Sequence, residues 1–523
     1  MVRSLKNDLA PINRIPPEVL TSIPDFWDKP DRDRGLIRLT HVCRTWREIF
    51  ISCSPLWTNL SCIGTDKTHV YLERSKSSPI HLHLQGVYGI YHRDPLFQVI
   101  PHAVGRLESL FTGPAPGLRG ITAHLSHPAP LLKRLSIGGR DQPVSPDIPV
   151  ITAALFNGDL SSLHVLHLYH VRTELPWGNM ANLTSFTLGH VPLGEAPIRR
   201  LLDFFESAPR LREVELLFIT LTSGGQNGRL VSLGCLKSFI IRGDQPTSLL
   251  FDHLLIPAGA DLRMRLESPC PRIGAHLPRF LDNLRNLPNF TRLHLDLGKC
   301  NSVVQFTGPN GGVRIDSVGS GIDATGSVLR FLASVRVDTS MTKQLEIISR
   351  GPLSEDPLIQ ALLPMKNLNS LTISPCTNLL SIVRVLDPDI NPSNLLACPK
   401  LEELYVRTEK KEGFIGESLV GMAKARASRG AKLKSVKVVK SRKSVDSGRV
   451  ARSGGFLNAR WLANPRRYVD LGIFVPLDVS ELSKHVSHVE YDLEVVEEVG
   501  DYSDYGDEED WEREFRLFGN LDW

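Results

Sequence analysis

Residues 163–189 read LHVLHLYHVRTELPWGNMANLTSFTLG and hold one pattern twice: an apolar residue, then others three and five positions later. The copies are LHVLHL from Leu163 and LTSFTL from Leu183. The alternation within each predicts a strand with one face turned to a core. Upstream the pattern recurs as LESLFT from Leu107 and LKRLSI from Leu132. Downstream it returns as LREVEL from Leu211, LKSFII from Leu236, FTRLHL from Phe290 and LNSLTI from Leu368. LEELYV from Leu401, LKSVKV from Leu433 and VSHVEY from Val486 complete the set. From Leu107 to Leu236 the steps are 25, 31, 20, 28 and 25 residues. The following step of 54 suits two units, with Asp261-Leu-Arg-Met-Arg-Leu as the skipped strand, and TKQLEI around Leu345 fills a later gap.

Units of 20 to 33 residues around LxxLxL carry the leucine-rich-repeat signature. A single strand–helix unit cannot bury its own apolar face, so neighbours stack into a solenoid. Helical spacing appears between strands at Ile198, Leu201, Leu202 and Phe205 after Pro197, and at Leu277, Phe280, Leu281, Leu284 and Leu287 before Pro288. Helices alternating with strands predict a parallel sheet on a concave face and helices on a convex one. An ordinary doubly wound α/β domain is the alternative. With the leucines facing inward, positions 3, 5 and 7 of each copy face outward. Examples are Val165, His167 and Tyr169; Ser185, Thr187 and Gly189; and Glu213, Glu215 and Leu217. The stretch 301–327, rich in Gly and Ser, breaks the period and predicts an inserted hairpin or loop.

The 523 residues allow two to four domains, or one small domain and an extended repeat. A hydrophobic share of 41% and a mean hydropathy of -0.09 describe a soluble folded chain, and a net charge of +4 implies no global electrostatic partner. The eight cysteines form no CxxC pair, so they read as small apolar residues in a reducing compartment. MVRSLKNDLAP lacks the apolar core of a secretory signal, and no apolar run reaches the roughly 18 residues of a membrane span. A cytoplasmic or nuclear location is expected.

Residues 36–57, LIRLTHVCRTWREIFISCSPLW, set Leu36, Leu39, Val42, Cys43, Trp46, Ile49 and Phe50 in one helical stripe about 140° wide. Leu56 and Trp57 follow a Ser-Pro stop, and upstream IPPEVL (15–20) predicts a second short helix. So small a unit buries too little surface to stand alone, and its stripe predicts contact with another protein. IPPEVL, LIRLTHVCRTWREI and SPLW together resemble the F-box, above all the F-box-like form of large fungal families, over about a tenth of the chain. The matching positions are Ile15, Pro16, Glu18, Val19, Leu20, Leu36, Leu39, Val42, Cys43, Trp46, Leu56 and Trp57. The resemblance implies docking to the Skp-family adaptor of a cullin–RING ubiquitin ligase, through those residues other than Glu18. The segment 21–35, TSIPDFWDKPDRDRG, departs from the family. Pro24 predicts an early helix end, Pro30 predicts no resumption nearby, and Phe26 and Trp27 supply apolar contacts from a loop.

The expected organisation is an N-terminal tail (1–10), an F-box-like domain (11–60), and a linker with a first strand–helix unit (61–106). A leucine-rich-repeat solenoid (107–495) and an acidic tail (496–523) follow. Residues 421–452 hold eleven Lys or Arg against Asp446, and 490–514 hold thirteen acids against one Arg. The basic run lacks interleaved aromatics, so a solvated helix face or contact with the acidic tail is expected before nucleic acid. No phosphate-loop, dinucleotide, zinc-protease or hydrolase-elbow motif is present, so neither an enzyme nor a cofactor is expected. His164, His167 and His170 are spaced three apart, but His164 and His167 fall on different strand faces, which argues against a metal site. The outward positions mix charges and aromatics, which suits recognition of a target protein, and Tyr169, Arg242, Tyr405 and Arg407 lead as contact residues. In the alternative the F-box-like helices only cap a non-ligase repeat scaffold.

Overall fold

The computed structural model describes residues 11–84, 103–112, 125–138, 150–443 and 479–496, apart from 28, 62–64, 153, 179, 194–195, 222–227, 244–246, 268–276, 278–280, 286, 288–289, 299–300, 310, 319–323, 334–337, 350–353, 377–378, 392–394 and 409–414. The expected N-terminal tail, the acidic tail beyond 496 and the end of the basic run (444–452) lie outside the described residues. Two compact units divide the chain: Met1–Asn289 with Gly308–Val318, and Phe290–Thr307 with Gly319–Trp523.

The first unit opens with α1 (Pro17–Ser22), which has proline in its first turn. Pro24 ends it as expected, and a 3-10 turn follows at Ile23–Phe26. α2 (Lys29–Leu39) corrects the reading of Pro30, which lies in the first turn, where the N–H that proline lacks has no intrahelical partner to lose. The single long stripe is also corrected. The chain turns at residues 40–42, where His41 and Val42 N–H donate to the carbonyls of Arg38 and Leu39, and α3 spans Arg44–Ser52. Cys43 is extended and caps α3, its Sγ accepting from Trp46 N at 3.5 Å. A 3-10 turn at Ser54–Trp57 leads to the strand Asn59–Ser61, which pairs in parallel with Ile80–Leu84 across α4 (Thr65–Ser75). The helical region is therefore joined to the sheet by backbone pairing.

From there the strands of this unit follow one another in parallel: 80–84, 107–112, 134–137, 165–169, 185–189, 213–217, 238–243, 261–266 and then 312–318. Register is kept so well that rows run straight across the sheet. His167, Thr187, Glu215, Ile240, Arg263 and Arg314 form one row, and Tyr169, Gly189, Leu217, Arg242, Arg265 and Asp316 the next. The intervening leucines and phenylalanines, such as Leu166, Phe186, Val214, Phe239 and Leu262, are buried beneath. Helix connects strands less often than expected here. Pro197–Ser207 is helical with Ile198, Leu201, Leu202 and Phe205 buried, whereas 277–287 holds only a 3-10 turn at Leu281–Asn283 among its described residues. Leu277, Leu284 and Leu287 are nevertheless in the core.

Several strands end on a residue with left-handed backbone: Gly138 (φ 87), His170 (φ 50), His190 (φ 53) and Phe218 (φ 51). The amides of the last three donate to the next strand, at Gly189, Leu217 and Arg242 carbonyls (2.9, 2.8 and 2.6 Å). Gly138 instead donates back to Thr112 O, and a Cβ there would sit 2.0 Å from the Tyr169 carbonyl oxygen. A methyl at this position meets both a disfavoured φ and rigid backbone. Gly138→Ala is expected to cost about 2–3 kcal/mol, read as a lowered denaturant midpoint at unchanged slope.

The second unit continues the scheme with strands 292–297, 344–349, 370–376, 403–408, 435–443 and 488–496, paired in parallel in that order. Residues 301–307 add to 292–297 antiparallel, so the molecule is α/β with a mixed sheet. The glycine-rich stretch 301–327 thus contributes two strands and the start of a helix. Helices 324–333, 355–362, 379–386, 415–428 and 479–483 each pack on the next.

Candidate functional site

Two surfaces of the first unit carry the chemistry. On the helical region, Leu20, Leu36, Trp46, Leu56 and Trp57 are buried in the chain's own core. The Trp46 indole N–H donates to Asn13 Oδ1 at 2.7 Å, and that of Trp57 to the Phe50 carbonyl at 2.8 Å. Trp57 meets Tyr71 edge-on at 4.9 Å and lies 4.3 Å beneath the Arg74 guanidinium. Burial, then the Asp33 carboxylate, pushes the Tyr71 hydroxyl pKa well above the usual phenol value. Asp33 also binds Lys67, which ties α2 to α4. These groups are spoken for.

The remaining predicted contact residues are open to a partner. Ile15, Leu39 and Cys43 are half-buried, Pro16 is exposed, and Val19 and Val42 are 53% and 56% exposed. Ile12, Ile37 and Phe26 join them, and periodicity did not single them out for docking. Phe26 is 85% exposed, so it makes no internal contact in place of the altered helix, whereas the Trp27 ring lies against Gly35. Among the described residues, five of the twelve exposed large apolar side chains fall within positions 12–42. Solvent gains nothing from such an arrangement, whereas a docked partner would.

The second surface is the open face of the sheet. Several positions expected to be presented there are covered: Thr187, Gly189, Glu215 and Leu217 are buried, with the Tyr169 ring lying across Gly189. Tyr169 itself is half-buried. Arg242 is half-buried too, its guanidinium 5.1 Å from the Phe218 ring, and its Nε donates to Glu267 Oε1 at 2.5 Å. The same oxygen receives Arg265 Nε at 3.0 Å. Beside them Arg314 Nε donates to both Asp316 oxygens, at 2.9 and 3.2 Å. Arg263, Arg265 and Arg314 were not singled out from sequence. Their signal was the alternation in DLRMRL and GVRIDS, which puts every second residue on this face.

His164 turns its Nδ1 to the Ser162 carbonyl at 2.7 Å, while His170 stacks on His190 at 4.5 Å, so the three spaced histidines do not converge. In the second unit Tyr405 and Arg407 are half-buried on one strand, with Tyr405 registered between Thr372 and Lys437. Lys437 pairs with Glu490 at 2.9 Å. No group of His, Cys, Asp and Glu suited to a metal occurs among the described residues.

No curated protein matches the chain. The family model described as F-box-like matches residues 12–63, the span that holds α1 to α3, the buried tryptophans and the bare valines. Residues 12–63 of this chain are an F-box-like domain.

Proposed function

We propose that this chain is the substrate-recognition subunit of an SCF-type, cullin–RING ubiquitin ligase. F-box domains typically bind Skp-type adaptors, and the observation that carries the reading is the division within this one. Its tryptophans are enclosed, while Val19 and Val42 stand more than half exposed. The adaptor would cover them and connect the chain to a cullin. The in-register parallel strands with buried LxxLxL leucines support a leucine-rich-repeat solenoid over 107–495, whose open face would hold a target protein. The chain would not be an enzyme. It would hasten ubiquitin transfer by tethering, which makes the reaction effectively intramolecular. Among the described residues no helix is long and apolar enough to cross a membrane, and we place the protein's work in the cytoplasm or nucleus.

A non-ligase scaffold is the second reading, favoured by the pairing of Asn59–Ser61 with Ile80–Leu84 and by buried Trp57 and Leu60 at the sheet's first edge. That half of the domain would cap the repeat. The test is co-purification of the full chain with a Skp-family adaptor. Val19→Asp and Val42→Asp together should weaken capture at least tenfold with an unchanged melting temperature, since both side chains already face water. No capture by the parent chain would favour the scaffold; undiminished capture by the variant would place the adaptor contact away from these valines.

A further inference from the structure

Three neighbouring strands of the first unit end in a stack of rings that neither the adaptor nor the target reading uses. His170, His190 and Phe218 each follow directly on a strand, with φ of 50, 53 and 51. Each amide donates to the next strand, at the carbonyls of Gly189, Leu217 and Arg242. Those bonds repeat at the spacing of adjacent strands, about 4.8 Å, so the three side chains stand one on another. The His170 and His190 rings lie 4.5 Å apart and 9° from parallel, and those of His190 and Phe218 lie 4.5 Å apart at 17°. The Arg242 guanidinium sits 5.1 Å from the Phe218 ring. On the other side the preceding strand ends in Gly138, which adds no side chain. Left-handed backbone is disfavoured for all three residues, and it persists only where surrounding contacts hold it. The stack is one such contact.

We propose that this stack is an acid-sensitive latch on the sheet's rim, closed while both imidazoles are neutral and opened when protons are added to them. Two neutral rings pack face to face, whereas two protonated ones would set like charges 4.5 Å apart. Both nitrogens of His170 are closed off from water, so a charge there cannot be hydrated without movement. Arg242 adds a permanent positive charge beyond Phe218. Burial first, then His170 and Arg242, holds the His190 pKa below the usual histidine value. A group depressed in this way stabilises the fold above that value, and its contribution is lost as pH falls through the folded pKa. Loosening therefore belongs to the acid side of about pH 6.5. Among the described residues, the strands carrying the stack also bear His167, Tyr169, Glu213 and Glu215. Glu213 is exposed, and Glu215 Oε2 accepts from Thr187 Oγ1 at 3.4 Å. Arg172 and Glu174, which follow His170, are exposed, and Arg242 shares Glu267 with Arg265. The latch operates whatever the chain binds, and its opening would release Arg242 on the open face.

The experiment follows amide hydrogen exchange of the full chain at about pH 7.5 and about pH 5.5, with rates corrected for intrinsic exchange. On acidification, protection of the His170, His190 and Phe218 amides should fall at least about threefold more than that of Val165, Ser185 and Glu213, whose amides bond at the other end of the same strands. His190→Phe keeps a ring in the stack and takes the backbone conformation that Phe218 already holds beside it, but it binds no proton. In this variant the difference between the two strand ends should shrink below about threefold. A parent difference smaller than that overturns the inference even if the variant fails to fold, and so does a variant whose difference matches the parent's. A second measurement needs no variant. The carbon-13-labelled rings of His170 and His190, identified by their contact with each other and by that of His190 with Phe218, should titrate in two separated steps, at least one below the usual histidine value. Independent titration of both rings at that value overturns the latch.

Discussion

Replacing Trp57 with alanine should destabilise the first unit by about 3–5 kcal/mol, the range for deleting a fully enclosed indole. Three local losses add to the cavity. The Phe50 carbonyl loses the indole N–H it accepts at 2.8 Å, Tyr71 loses its edge-on neighbour, and Arg74 loses the ring beneath it. Trp57→Phe keeps most of the volume and forfeits chiefly the hydrogen bond, so about 1–2 kcal/mol is expected. Denaturant unfolding of the full chain checks both, and amide exchange should locate the opening at 44–84. If Trp57→Ala exchanged there at the parent's rate, the indole would not be joining helices to sheet. The variant should also lose adaptor capture with its fold, unlike the Val19 and Val42 changes. That contrast separates a structural residue from a contact residue.

Arg426 provides the second large effect. It lies on Ile415–Ser428, fully buried, with Nη1 donating to the carbonyls of Ala397 (2.8 Å) and Leu386 (3.4 Å) and Nη2 to that of Cys398 (2.7 Å). Burial pulls its pKa below the usual guanidinium value, yet an arginine stays charged in a protein. Exchanging a buried charge for an apolar residue is sometimes neutral or stabilising when its partners are replaced as well. Here the partners are backbone and remain. Arg426→Met keeps the stem's packing and strands three carbonyls at about 1 kcal/mol each, so a loss of about 3 kcal/mol is expected. It should show as a lower denaturant midpoint and faster exchange through 386–398, where Cys398 holds a φ of 49°. A midpoint equal to the parent's would mean that desolvation of the charge had offset every bond it makes.

These residues also show where sequence reading stopped. The strands were legible because a two-residue period and a buried leucine two positions before each strand repeat along the chain; Leu163, Leu183, Leu211 and Leu236 are all in the core. Helical spacing was a poorer guide, since 277–287 and 36–50 carry the period without the continuous helix. In 36–50 a tight turn at 40–42 decided the case. For the F-box-like domain, the residue types were legible but their division was not. Periodicity places Trp46 and Val42 on one stripe, and only the turn capped by Cys43 puts the first inward and the second outward. The arginines of this face were hidden for another reason: they lie in two adjacent rows across three strands, up to 72 residues apart in the chain, from Arg242 to Arg314.

The three-residue strand Asn59–Ser61 has a mechanical consequence. Because its backbone is paired with Ile80–Leu84, the F-box-like helices and the first strands of the sheet are joined within one unit, and under the proposed function this joins the adaptor contact to the first strands. Cargo held on those strands would keep a constant bearing to the ligase. The lysines within reach would then follow from where cargo is gripped, with little contribution from a swinging tether. Seen this way, the short strand works as a surveyor's fixed datum.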